Sequence, residues 1–357
     1  MFRAIRLSFI SSFNMIRLIK KIALFLLPLF IISTCYLLTD PYKTIYSYTY
    51  YTSSYMLLSR GNVSTMVFLK NRDRYHYDSF IFGSSRATAF TAKEWSKYLP
   101  AKSQPFSFEA WNENLSCIYK RLKLLDSLNV PIKNTLIILD VDRAFEYFGD
   151  ITADHYLIRN DSKFEYYKKD YLYYVKTPHL FISSVDYAIF KKQRSYMNGF
   201  VGMKNTDIDP INNDWFPLSE QEIQHDTAAY YKDTEWKFYK RPIVQQYSYG
   251  QLNAKQISYL MKIAALFRKH HTNYKIVISP LYSQKQLSKQ DLRFMKTIFK
   301  ADNVHDYSGI NAITNNQFNY CNDVIHYRKK VGNIIMRELY NKSGEASPFK
   351  GQIALFN

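Results

Sequence analysis

Tyr77-Asp78-Ser79-Phe80-Ile81-Phe82-Gly83-Ser84-Ser85-Arg86-Ala87-Thr88 begins as an alternating, aromatic and β-branched run and breaks at Gly83 into small polar residues. The first part suits a pleated strand, the glycine permits a sharp bend, and helix-like sequence resumes near Thr91. A serine in such a turn stands at the carboxyl end of a strand, with helix N–H groups pointing toward whatever its oxygen attacks. Ser85 is therefore a candidate nucleophile that needs partners elsewhere in the chain.

Beyond this turn, strand-like and helix-like segments alternate. Thr91 can cap a short helix through Tyr98, and Gln104 to Phe108 reads as a second strand. Leu115, Ile118, Leu122 and Leu125 share one helical face, and Asn129-Val130-Pro131 stops that run. Thr135 to Leu139 has no polar interruption, as in a parallel strand covered on both faces. Residues 145–250 lose the rhythm: this Tyr-, Lys- and Asn-rich stretch with Pro178, Pro210 and Pro217 reads as an inserted cap. The alternation resumes with a helix lined by Ile257, Leu260, Met261, Ala264 and Phe267 and a strand at Lys275 to Ser279. A helix bearing Leu292, Met295 and Phe299 and a strand from Val304 to Tyr307 complete it. The expected fold is α/β, with a five-stranded parallel sheet in a domain spanning 75–345 and a C-terminal tail at 346–357.

The chain has 357 residues, 47% of them hydrophobic, which is enough for a sizeable core and excludes disorder as its class. Its net charge of +18 favours anionic partners, although the 32 tyrosines and abundant Lys and Asn also fit AT-rich coding. No helix-turn-helix, zinc-finger or RNA-binding motif stands out, and Lys and Arg are spread along the chain, so nucleic acid is not an expected partner.

Ile22 to Leu38 carries no charge and follows a basic segment, 1–21, that contains Arg17, Lys20 and Lys21. This pattern predicts a transmembrane helix at 22–38 with its amino end in the cytoplasm, a linker at 39–74 and an exported domain. Tyr36, Tyr42, Tyr46 and Tyr48 suit an interfacial belt. A cleaved signal peptide, a lipid-modified Cys35 and a buried helix are the alternatives, and Met15 is a possible start. Cys35, Cys117 and Cys321 show no metal-ligand spacing, so neither metal nor cofactor is expected; Cys117 and Cys321 either pair or stay as buried thiols.

In an open parallel sheet, function gathers beyond the carboxyl ends of the strands. Those positions hold Ser84 and Ser85, then Glu109 to Asn114, then Asp140 and Asp142, then Pro280 to Ser283, and finally a segment containing Asp323-Val324-Ile325-His326. On a tight loop, Asp-x-x-His lets the carboxylate bond the imidazole Nδ1–H, leaving Nε2 to take a proton from a serine.

Phe82-Gly83-Ser84-Ser85-Arg86 and Asp323-Val324-Ile325-His326 together resemble the first and last blocks of the SGNH (GDSL-like) hydrolase superfamily. More particularly, the chain resembles membrane-anchored members of bacterial envelope and exopolysaccharide systems. The resemblance implies a flavodoxin-like three-layer sandwich and the removal or transfer of acyl groups, acetyl above all, on sugar hydroxyls. It also implies a single-pass inner-membrane location with a periplasmic or extracytoplasmic domain. Partners would be the membrane, an acylated polysaccharide and polysaccharide-assembly proteins. Residue by residue, Ser85 would be nucleophile and first oxyanion donor, His326 the general base and Asp323 its orienting carboxylate. Ser84 replaces the family's Asp; Glu109-Ala110-Trp111 stands where an oxyanion Gly is expected, and Asp140-Val141-Asp142-Arg143 where an Asn is. Gly83, Ser84, Asn112, Asn114, Asp140 and Asp142 are therefore the oxyanion or substrate-binding candidates. The alternative is a catalytically inactive SGNH-like domain that binds glycan during assembly.

Overall fold

The computed structural model describes residues 2–43, 45–46, 48, 60–145, 163–197, 207–232, 234–250 and 252–340. The tail at 346–357, and parts of the linker 39–74 and of the insertion 145–250, lie outside the described residues. In chain order the longer helices are α1 (Phe2–Thr39), α2 (Arg60–Tyr75), α3 (Leu115–Ser127), α4 (Lys163–Lys176), α5 (Pro178–Phe190), α6 (Leu218–His225), α7 (Ala254–Lys269), α8 (Lys289–Phe299) and α9 (Lys329–Tyr340). The main sheet comprises β1 (Ser79–Gly83), β2 (Pro105–Glu109), β3 (Asn134–Leu139), β4 (Asn273–Ile278) and β5 (Val304–Asp306).

All five strands are parallel and lie in the order β2-β1-β3-β4-β5. β1 and β3 are buried along their whole length, which is why their sequences show no polar alternation. Their side chains divide between two apolar faces. On one, Ile81, Leu136, Ile138 and Val277 meet Phe90, Val331, Ile335 and Met336, so α9 packs on this side. On the other, Phe68 of α2 lies 6.1, 5.6 and 5.0 Å from the rings of Phe80, Phe106 and Phe108. There too Phe267 of α7 stacks on Tyr274 at 4.6 Å. Each fully buried ring of this kind stabilises the fold by roughly 1.5–3 kcal/mol relative to exposure.

Helix α2 falls where the sequence suggested only a linker. Its buried face mixes Val63, Val67 and Phe68 with Arg60, Ser64 and Thr65, so no apolar stripe marks it. Buried polar pairs hold it instead: Arg60 Nε donates to Glu109, and Arg121 of α3 donates to Ser64 Oγ at 2.9 Å. Asn114 caps α3 by accepting from the Cys117 N–H at 3.2 Å.

The chain forms two compact units, and the insertion is divided between them. Lys163–Met203 belongs with Met1–Tyr48 and Ser54–Leu58, whereas the residues from Lys204 onward belong with the sheet. In the first unit, Met15–Thr39 of α1 is long and apolar enough to cross a membrane, and it contains the expected span 22–38. At 1.5 Å per residue its 25 residues extend about 38 Å, more than the roughly 30 Å of a bilayer's hydrocarbon core. Tyr36, expected in an interfacial belt, is only 4% exposed. It packs on Tyr171 and Tyr174 of α4, with ring centroids 5.4 and 5.1 Å away, while Ser33 Oγ lies 2.6 Å from Tyr171 Oη.

Candidate active site

Gly83 ends β1 in a place only glycine fits. A Cβ there would come within 2.8 Å of the Ile138 carbonyl oxygen and 2.9 Å of Ala87 Cβ. The chain can therefore turn tightly against β3 into a short helical turn, Ser85–Ala89, capped by the Ser84 hydroxyl, which accepts from the Arg86 N–H. Ser85 is the first residue of that turn, and its Oγ lies 2.8 Å from His326 Nε2.

His326 comes from the loop that precedes α9. Tyr320 and Tyr327 bridge its base, and the Cys321 N–H donates to the His326 carbonyl at 2.8 Å. Asp323 Oδ1 accepts the N–H groups of Ile325 and His326 at 2.8 and 3.0 Å, and Asp323 Oδ2 lies 2.6 Å from His326 Nδ1. Burial pushes the Asp323 carboxyl up, but its bond to the imidazole and its backbone donors outweigh that and hold it below the usual range. An ionised carboxylate only accepts, so Nδ1 carries the proton and Nε2 is left to accept from the Ser85 hydroxyl. The side chains of His326 and Asp323 are 34% and 43% exposed, so a solute reaches the imidazole edge. Between them, Val324 sits at φ +53°, a left-handed conformation that is costly for a β-branched residue.

Arg86 ties the serine turn to this loop. Its Nε donates to the Ile325 carbonyl at 2.8 Å, and its terminal nitrogens grip Asp142 at 2.7 and 3.0 Å. Nη1 also lies 3.2 Å from Asp140, a carboxylate 1% exposed that accepts from Ser84 Oγ as well. Burial alone would pull the guanidinium down, but the two carboxylates reverse this and raise it. Asp140 and Asp142 are thus committed to Ser84 and Arg86. Glu109 faces the other way, toward Arg60 of α2.

Of the other candidates, Asn112 is exposed at φ +54°, and Asn114 is buried as the cap of α3, its Nδ2 making no hydrogen bond among the described residues. No hydrogen bond joins either to Ser85, His326 or Asp323 among the described residues. Cys117 and Cys321 are free, and burial pushes both thiols up to about 12.

Sequence reasoning missed Arg86 as a structural tie and the bracing from the second half of the insertion. Tyr231 Oη donates to the Tyr320 carbonyl at 2.7 Å, and the Asn322 N–H donates to Tyr230 Oη at 3.0 Å. The Lys329 N–H, at the start of α9, donates to the Glu220 carboxylate at 2.7 Å. The tyrosine richness of residues 145–250 was the available signal, but it names no partner. No group of three His, Cys, Asp or Glu side chains suited to a metal occurs among the described residues. The chain matches no protein-family model and no curated protein.

Proposed function

We propose that this chain is a membrane-anchored serine O-acyl esterase or O-acyltransferase of SGNH (GDSL-like) type, acting on acyl groups, acetyl above all, of an envelope or extracellular polysaccharide. The observation that carries the reading is the continuous hydrogen-bonded chain from Ser85 Oγ through His326 to Asp323. The strand order β2-β1-β3-β4-β5 supports a flavodoxin-like, three-layer arrangement, for which the 2-1-3-4-5 order is typical. Arg17, Lys20 and Lys21, on the amino side of the apolar span, support a cytoplasmic amino end and an exported domain in a bacterial inner membrane.

In this reading His326 Nε2 takes the Ser85 proton as Oγ attacks the ester carbonyl, and Asp323 stabilises the imidazolium by holding Nδ1–H. The Ser85 N–H, which heads its turn and has no partner within it, donates to the developing oxyanion. Collapse releases the sugar hydroxyl, which receives its proton from His326, and leaves an acyl-serine. Water or another sugar hydroxyl then attacks the acyl carbon, again with His326 as base.

A fluorophosphonate probe tests this. The full chain in detergent should be labelled, whereas Ser85→Ala and His326→Ala should lose labelling while keeping the parent circular-dichroism spectrum. Hydrolysis of an acetyl ester should fall by about 10⁴-fold in Ser85→Ala. Equal labelling of parent and Ser85→Ala would remove the assignment.

A further inference from the structure

Helix α5 (Pro178–Phe190), in the first half of the insertion, has its polarity turned inside out. Ser183 and Ser184 are wholly buried, whereas Ile182, Ile189 and Phe190 are 51%, 66% and 61% exposed. A helix on a water-soluble protein packs its apolar residues and leaves its serines outside. Small hydroxyl residues between helices and large aliphatic ones facing outward are what a lipid surround selects. The inner seam is satisfied from within: Ser184 Oγ donates to the Phe181 carbonyl at 2.9 Å and lies 2.8 Å from Tyr174 Oη of α4.

The helices beside it identify what covers the outer face. α5 packs on both α1 and α4 in one compact unit. α4 in turn meets α1 at Ser33 and Tyr36, which lie within about the last two turns of the apolar span Met15–Thr39. The exposed face of α5 thus continues a surface that is itself apolar enough for lipid. The 13 residues of α5 extend about 20 Å, too short for the roughly 30 Å of a hydrocarbon core, so the helix cannot cross. Lysines stand at both ends: Lys176 precedes it, and Lys191 and Lys192 follow directly, all exposed. Such side chains lay their stems along apolar surface and keep the ammonium among lipid phosphates. The one acidic residue in α5, Asp186, is paired with Arg194 Nε at 2.7 Å.

We propose that α5 is a second membrane contact, lying in the lipid interface beside α1 with Ile182, Ile189 and Phe190 among the acyl chains and Lys191 and Lys192 among the phosphates. It rests on α1 spanning a membrane and is independent of the chemistry at Ser85.

Spin labelling of the full chain in vesicles of phosphatidylcholine and phosphatidylglycerol tests it. With Cys35→Ala, the remaining Cys117 and Cys321 are buried, so an introduced thiol takes the label alone. Labels at Ile182→Cys and Ile189→Cys should be relaxed by oxygen, which dissolves in lipid, and lose relaxation by a water-soluble nickel chelate. They should match a label at the exposed Phe25→Cys of α1. Labels at Lys192→Cys and at the exposed Tyr249→Cys, in the other unit, should stay open to the chelate. All five positions are exposed, so each variant should keep the parent circular-dichroism spectrum. Chelate access at residues 182 and 189 equal to that at residue 249 would place the face in water and overturn the proposal. Shielding from both reagents would place protein there, a second copy of the chain included, and would overturn it too. The label at residue 25 separates the two readings: chelate access there removes the anchor along with this contact, whereas shielding there with access at residue 189 removes the contact alone.

Discussion

Arg86 is the residue on which the site's geometry turns. It joins the turn that carries Ser85 to the carbonyl of Ile325, the neighbour of His326, and it pairs with Asp140, a carboxylate only 1% exposed. Removing one partner of such a buried pair typically costs about 3–5 kcal/mol, because the other charge is left stranded. Arg86→Met should therefore lower the unfolding free energy by about 3 kcal/mol in urea titrations. Adding Asp140→Asn to that variant should restore at least about 1 kcal/mol, since no buried charge is then unpaired. Strict additivity of the two changes would mean that the pair is not coupled. The triad itself was legible because its cues are local: small residues after a strand for Ser85, and a three-residue spacing for Asp323 and His326. The Arg86 cluster was not, because it depends on β1 and β3 being neighbours, which sets Asp140 and Asp142 beside the serine turn.

At the scale of elements, α9 and the serine turn share one apolar face of the sheet, and their closeness depends on Gly332. A Cβ at that position would overlap the Ala89 carbonyl at the end of the turn. Gly332→Ala pushes the helix off the turn instead of filling a space, so it should destabilise by about 1–3 kcal/mol despite alanine's better helix propensity. The test is a thermal melt together with phosphonate labelling: a lower midpoint and slower labelling of Ser85 are expected, and an unchanged midpoint would show that the helix accommodates the methyl. The sheet was readable from continuous apolar runs such as Leu136 to Leu139, which only a strand covered on both faces explains. Helix α2 was not, because inside the protein Arg60 pairs with Glu109 and Ser64 with Arg121. Sequence hydropathy counts such residues as surface.

At the scale of the whole molecule, α1 is more than an apolar span. Its carboxyl-terminal end is built into a helical unit: Tyr36 is buried against Tyr171 and Tyr174, Ser33 pairs with Tyr171, and Tyr174 Oη lies 2.8 Å from Ser184 Oγ of α5. Cutting the chain after Thr39 takes away the apolar span, but it also removes Tyr36 and uncovers the wholly buried Tyr174. A buried aromatic residue contributes about 1.5–3 kcal/mol, a large part of what a few helices can muster, so α4 and α5 should lose their packing. The truncated chain is expected to elute as aggregates in size-exclusion chromatography even though the apolar span Met15–Thr39 has been removed. Replacing Leu24, Leu27 and Leu29 by Lys weakens insertion but keeps Tyr36 in place, and that variant should elute as a defined species without detergent. Leu24, Leu27 and Leu29 are 71%, 47% and 45% exposed, so the exchange disturbs little packing within the unit. A monodisperse truncation would show that the unit does not need α1.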